Sequence, residues 1–175
     1  MSYLIRKAEE SDVPSLGELL EAYMRETYHG AWGGNIHLLE RHLLGKEVEI
    51  IVAESTEREV VGFVAWVATY DLHWCLKGGA VIDFFVRPSH RGRGAAILLI
   101  TKLAGDVQEQ GGAYLKGGAV DNPVVRRLYQ KVAMCLPDGE SYVSGRAFRH
   151  LAELSGEGLR QIIRKMPEAA WNYEP

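Results

Sequence analysis

The chain has 175 residues and a mass of 19.5 kDa, which fits one domain at about 150 residues per domain and is long enough to bury a core. Its 47% hydrophobic and 25% charged residues are those of an ordinary globular protein, and no stretch reaches the roughly 20 apolar residues of a membrane span. A net charge of -3 and a pI near 6.1 leave no overall basic field for nucleic acid, so any anion site must be local.

The start "MSYLIRKAEE" lacks an apolar run with a small-residue cleavage site, so no signal peptide is expected and the cytoplasm is the default location. "SYLIRKA" is β-like, and "ESDVPSLGELLEAYMRET" follows with apolar residues at helical spacing behind Ser11 or Asp12 as cap. "IHLLERHLLG" reads as a second helix closed by Gly45. "EVEIIVAES" and "EVVGFVAWVATYD" form a hairpin around the polar "TER", and Tyr70 to Gly79 reads as an irregular loop. "AVIDFFVRP" is a further strand, ended by Pro88, which cannot extend a ladder.

A glycine turn and a helix from about Gly94 to Glu109 come next, then a strand in "GGAYLKGGAV". "NPVVRRLYQKVA" reads as a helix with Pro123 in its permitted first turn. "ESYVSGRAF" reads as a last strand, and the tail carries one more helix, "GLRQIIRKM". The whole is expected to be one mixed α/β domain, with a core over about 3–148 and a helical extension over 151–175. Cys75 and Cys135 have neither disulfide density nor zinc spacing. His29, His37, His42, His90 and His150 form no ligand pattern, so no metal is expected.

The turn Arg91-Gly92-Arg93-Gly94-Ala95-Ala96 is the most informative segment. Gly92 and Gly94 can take φ > 0 and turn successive N–H groups into one concavity, to which the next helix adds its free N-terminal donors. Such a turn suits phosphate. A Walker loop is excluded, because "RGRGAAILL" lacks the lysine and hydroxyl. A dinucleotide fingerprint lacks its third glycine. A plain strand-to-helix turn with solvated arginines is the remaining alternative.

Arg91-x-x-Gly94-x-Ala96 after "DFFVRPSH" resembles the R/Q-x-x-G-x-G/A signature of the GNAT superfamily of acetyl-CoA-dependent N-acetyltransferases. "DNPVVRRLYQKVAM", with Asn122 seven residues before Tyr129, looks like that family's later helix. The resemblance covers Tyr3 to about Phe148. It implies a mixed, mainly antiparallel sheet with a splayed strand pair and flanking helices. It further implies that the N–H groups of Arg91 to Ala96 hold the diphosphate of coenzyme A, with Asn122 and Tyr129 also at the cofactor. Phe84, Phe85 and Val86 would offer backbone bonds to the pantetheine arm where their strand splays from Ala113 to Gly117, and Gly117 and Gly118 suit close approach of a ligand. Arg87, Arg91 and Arg93 would supply local positive potential.

Acetyl transfer to an amine needs a neutral amine, a polarised carbonyl and a proton for the leaving thiolate. The resemblance places the Tyr129 hydroxyl near the coenzyme sulfur, and a core tyrosine is the alternative. Asp83 lies within "VIDFFV", where an uncompensated charge is costly, which marks it for a catalytic task. Asp71, beside His73 and Trp74 in "TYDLHW", looks like an acid of the spermidine and spermine acetylating branch, with a loop-turn role as the alternative. His73 is a further candidate base or a solvent-facing residue. Two features depart from that branch or family. Ile82 replaces an acid, and Ala133-Met134 replaces a Gly-aromatic pair.

The expected activity is therefore acetyl transfer from acetyl-CoA to a small amine or polyamine in a ternary complex. A peptide or protein amine, an aminoglycoside, or a noncatalytic acyl-CoA sensor are the alternatives. No nucleic acid or membrane partner is expected. Leu159, Ile162, Ile163 and Met166 are expected to cover the domain's own core or a homodimer partner.

Overall fold

The computed structural model describes residues 2–44, 47–118, 133–135 and 140–166. The fold is mixed α/β, with a sheet that is mainly antiparallel. The chain divides into two compact units, Met1–Trp66 with Asp83–Leu99, and Val67–Ile82 with Ile100–Pro175. Strands β3 (Val60–Asp71) and β4 (Leu76–Val86) run through both. No helix among the described residues is long and apolar enough to cross a membrane.

In the first unit β1 (Leu4–Lys7) pairs antiparallel with β2 (Glu49–Glu54), and β2 with β3, in the register Ile51↔Val64 and Val52↔Phe63. Helices α1 (Val13–Tyr28) and α2 (Ile36–Leu44) lay their apolar residues on this sheet. Leu16 and Leu19 pack with Ile50, Val52, Phe63, Ala65 and Phe85, as the helical spacing in the sequence requires. Asp12 does not cap α1 with its side chain. Its carboxylate instead accepts the Glu9 N–H at 2.8 Å and binds Arg6 through both oxygens, at 2.6 and 2.9 Å. Arg6 also reaches Glu54 at 2.8 Å, so one guanidinium ties β1, β2 and the approach to α1 together. Burial pushes the Asp12 carboxyl up, but Arg6 and the Glu9 N–H hold it below its ordinary value.

In the second unit β5 (Leu115–Gly118) is parallel to β4, from Gly79↔Leu115 to Val81↔Gly117. It is antiparallel to β7 (Glu140–Val143), which pairs with β6 (Met134–Cys135). Helix α3 (Ala95–Glu109) begins in the first unit and ends in the second, with Leu103, Ala104 and Val107 buried. Helices α4 (Gly145–Glu153) and α5 (Leu159–Lys165) follow.

Three element boundaries differ from expectation. The loop expected from Tyr70 to Gly79 is confined to residues 72–75, because β3 continues to Asp71 and β4 starts at Leu76. Gly78 lies within β4, where a Cβ would stand 2.5 Å from the Tyr114 ring, so glycine there admits the ring. The strand expected through Phe148 ends at Val143, and Ala147, Phe148, Leu151 and Ala152 are instead the buried face of α4. In α5, Ile162 is fully buried while Ile163 is exposed. Gly45 and the helix expected over 122–133 up to residue 132 lie outside the described residues.

Candidate active site

The last residues of β4, in the first unit, present Asp83 and Phe85 on one face by the two-residue period of a strand. Tyr23 of α1 meets both. Its ring centroid lies 5.9 Å from that of Phe85, and its hydroxyl is near enough to act on the Asp83 carboxyl. Burial pushes the Asp83 carboxyl above its ordinary value, and the nearby Tyr23 hydroxyl offsets part of that rise. The Tyr23 phenol is itself held well above the usual tyrosine range, first by burial and then by Tyr28 and Asp83. Tyr23 was not legible as a site residue in the sequence. Its helical spacing reads as core, and its partner stands sixty positions away.

Beyond Val86 the chain leaves the sheet. The Arg87 N–H donates to the Val61 carbonyl at 2.8 Å, and Pro88–His90 form a 3-10 turn. Gly92 at φ 70 and Gly94 at φ 97 then take the left-handed backbone that the sequence called for. The Leu98 N–H closes onto the Gly94 carbonyl at 3.2 Å, so the first N–H groups of α3 remain without helical partners. A Cβ at Gly92 would meet no atom within 4 Å, so the turn is open at that residue. Ala95 is buried against the unit, while Ala96 is half-buried.

The arginines of this turn are not all available to a ligand, contrary to expectation. Arg91 donates to both carboxylate oxygens of Glu26, at 2.7 and 2.8 Å, and its Nε donates to the Val86 carbonyl at 2.8 Å. Its guanidinium carbon also lies 5.3 Å from the centre of the Phe85 ring. Arg87 reaches Glu18 at 3.2 Å and Glu59 at 3.4 Å. The acids of α1 and the residue before β3 thus draw two basic side chains back onto the fold. Arg93 is exposed on the turn. The Val86 carbonyl is already an acceptor for Arg91.

In the second unit Asp71 closes the tip of the β3–β4 hairpin. One of its oxygens accepts the His73 N–H at 2.8 Å and the Trp74 N–H at 3.3 Å, and the other accepts the Tyr142 hydroxyl at 3.0 Å. Burial acts to raise its carboxyl, but these three donors and His73 hold it below the ordinary range. The imidazole of His73 stands 3.7 Å from Asp71 and is almost fully exposed, and Trp74 is about half exposed. This geometry is that of the loop-turn alternative. A Cβ at Gly117 would lie 3.2 Å from Val81, its strand partner. Gly118 faces open space. Asp83 and Asp71 belong to different units. Ala113–Gly117, expected opposite Phe84–Val86, pairs instead with the earlier stretch Lys77–Val81 of β4, and Asn122 and Tyr129 lie outside the described residues. Among the described residues no group of three or more His, Cys, Asp and Glu side chains could hold a metal ion.

A mixed sheet, a left-handed glycine turn after β4 and a helix opened by that turn form a cradle of the kind that suits a phosphate group. The chain belongs to the Acetyltransferase (GNAT) family, whose model matches residues 13–134. Among solved structures it is similar to a ribosomal-protein-alanine N-acetyltransferase from Brucella melitensis biovar Abortus 2308, with 26% identity over 73% of this chain and 88% of that one, at a TM-score of 0.58. A GNAT family N-acetyltransferase (YhbS) from Escherichia coli in complex with CoA matches at 18% identity over 91% and 87% of the two chains, with a TM-score of 0.58. An acetyltransferase of the GNAT family from Staphylococcus aureus Mu50 matches at 14% identity over 82% and 99%, with a TM-score of 0.60. No curated protein matches the chain.

Proposed function

We propose that this acetyltransferase moves the acetyl group of acetyl-CoA directly to the nitrogen of a primary amine held beside Asp83. The observation that carries the reading is the turn Arg91–Ala96, with two left-handed glycines, an opened helix start and open space at Gly92. That cradle fits a diphosphate: it presents N–H groups and a helix dipole, and no side chain fills it at Gly92. The neighbour from Escherichia coli was solved with CoA, which supports the same ligand here. Acetyl-CoA, when bound, supplies an acyl group already activated as a thioester.

The chain's own residues do the rest. The turn donates backbone hydrogen bonds, and Arg91, gripped by Glu26 and Val86, fixes its shape. Phe84 and Phe85 extend the binding edge along β4. Asp83 takes a proton from the incoming ammonium, and its raised carboxyl pKa brings it nearer to the working pH of a base. By family resemblance Asn122 and Tyr129 complete the site, Tyr129 as the acid that protonates the thiolate.

A small amine or polyamine remains the first substrate class, because Asp83 offers a half-buried negative charge to a cation. A peptide amine is the second reading. It gains from the commitment of Asp71 to its hairpin, which removes the second acid a diamine would use. A homodimer and a cytoplasmic location belong to the same reading. One assay separates the substrates: free-thiol release from acetyl-CoA with spermidine, lysine amide, an aminoglycoside and an alanyl peptide. Turnover with spermidine and not with the peptide supports the small-amine reading, and the reverse supports the peptide reading. Turnover with none of them overturns the enzyme.

A further inference from the structure

We propose that Tyr3, just ahead of β1, is a positioning residue for the cofactor cradle, fixing the entry to the turn Arg91–Ala96 through its bond to His90. The inference rests on the assignment of acetyl-CoA to that turn. The Tyr3 hydroxyl and the His90 Nδ1 are hydrogen-bonded at 3.2 Å, and the two rings meet edge to face, with centroids 5.9 Å apart at 66°. The residues lie 87 positions apart in the chain, yet both belong to the first unit and both are half-buried.

The turn needs an anchor at this end. Gly92 at φ 70 and Gly94 at φ 97 have the widest backbone freedom of any residue type, and a turn that samples several shapes binds its ligand only in the fraction that has the competent one. At the far end the chain is fixed by Ala95, which is buried, and by the Leu98 N–H on the Gly94 carbonyl at 3.2 Å. At the near end three contacts follow one another. The His90 and Arg91 N–H groups donate to the carbonyls of Arg87 and Pro88 at 2.9 and 3.2 Å, which closes the 3-10 turn. Tyr3 holds the His90 side chain, and Glu26 with the Val86 carbonyl holds Arg91. Gly92 to Gly94 is the stretch between the two ends.

Tyr3 itself stands outside the strand it precedes. Strand β1 begins at Leu4 and is paired to β2 from Leu4↔Glu54 onward, so the ladder does not depend on the Tyr3 hydroxyl. Packing of the two rings alone leaves the imidazole free to turn about its own axis, and the hydroxyl adds the directional bond that sets its angle. The bond holds in either charge state of the imidazole. A neutral ring can accept the phenol proton at Nδ1, and a protonated ring can donate from Nδ1 to the phenol oxygen.

Tyr3→Phe, His90→Phe and the double variant keep a ring at each position and remove the bond. They are titrated with acetyl-CoA by calorimetry, and amide hydrogen exchange is followed in the 3-10 turn and in β2. Each single variant is expected to bind acetyl-CoA about threefold to tenfold more weakly, the range set by one lost hydrogen bond. The double variant should bind no more weakly than either single one, because all three lose the same bond. In Tyr3→Phe the His90 and Arg91 amides should exchange faster while those of β2 stay parental. The salt dependence of its affinity should run parallel to that of the parent, since every arginine remains in place. An affinity of Tyr3→Phe within about twofold of the parent, or losses that add in the double variant, overturns the positioning role and leaves the cofactor site standing. Faster exchange in β2 as well as in the turn makes Tyr3 a general structural residue and overturns the proposal too. A parent that binds no acetyl-CoA overturns the cradle and the positioning role together.

Discussion

Arg91 and Glu26 are joined by two parallel hydrogen bonds of 2.7 and 2.8 Å, which lock the turn after β4 to the last part of α1. The pair is more than one-third exposed on both sides, so by itself it is worth only about 0.2–1 kcal/mol. Arg91→Ala removes more, since the Val86 carbonyl and the Phe85 ring lose the same guanidinium. Arg91→Ala is therefore expected to cost roughly 1–3 kcal/mol in urea unfolding and to weaken acetyl-CoA binding by loosening the turn. Glu26→Gln should cost under about 1 kcal/mol. By removing a negative charge beside the cradle it should tighten acetyl-CoA at low salt, a gain that fades as salt is raised.

Gly94 has φ 97, further from the left-handed helical well than Gly92 at φ 70. Asparagine and aspartate tolerate the well near φ +60° and lose that tolerance beyond it. Gly94→Asp is expected to weaken acetyl-CoA by at least about tenfold in calorimetry, because a Cβ distorts the row of donors and a carboxylate opposes the diphosphate. An unchanged affinity in a folded variant would remove the turn from the cofactor site.

Asp83→Asn separates stability from catalysis. Burial raises the Asp83 carboxyl in the folded state, so the native state holds its proton over a pH window in which the unfolded chain has released it. Stability from this group is then lost as pH rises through that window, the reverse of an ion-paired carboxylate. Asp83→Asn is expected to melt at or above the parent temperature near neutral pH, with the difference shrinking below pH ~4. Its turnover should fall about a hundredfold or more. A variant that loses stability and keeps turnover would make Asp83 structural.

Asp71→Asn addresses the opposite case. Three donors converge on this carboxylate at the hairpin tip, from His73, Trp74 and Tyr142. Its folded pKa is lowered, so its contribution is present above the ordinary carboxylate range and is lost as pH falls through the folded value. Asp71→Asn and Tyr142→Phe should both lower the melting temperature, and the amine KM should change little. A large rise in KM for a diamine, with the melting temperature unchanged, would return Asp71 to the substrate site.

The sequence showed backbone chemistry more readily than side-chain partnerships. Gly92 and Gly94 were legible because a left-handed turn leaves a mark in the residue type itself. The fates of Arg87 and Arg91 were not, because Glu18 and Glu26 lie more than sixty positions away on a helix whose exposed acids look like solvated surface. The loop expected from Tyr70 to Gly79 ran too long for a similar reason, since Gly78 lies inside β4. A glycine that punctuates a turn and one that admits the Tyr114 ring look alike in one dimension. The "SGRAF" segment continued a β-rich run, yet the spacing of Ala147, Phe148, Leu151 and Ala152 is helical once the chain turns at Gly145, φ 54. Tyr23 satisfied the helical pattern of α1 so fully that its polar end drew no attention.

The central claim is that this chain transfers an acetyl group from acetyl-CoA to an amine nitrogen with Asp83 as base. The most direct measurement uses acetyl-CoA labelled with carbon-13 at the acetyl carbonyl, incubated with spermidine, lysine amide and an alanyl peptide. Products from the parent and from Asp83→Asn are then read by NMR and mass spectrometry. The expected result is a labelled amide on one of these amines, formed in step with free thiol by the parent and nearly absent with Asp83→Asn while acetyl-CoA affinity is kept. Labelled amide formed equally well by Asp83→Asn, or acetyl-CoA bound by the parent and left intact with every amine, would contradict it.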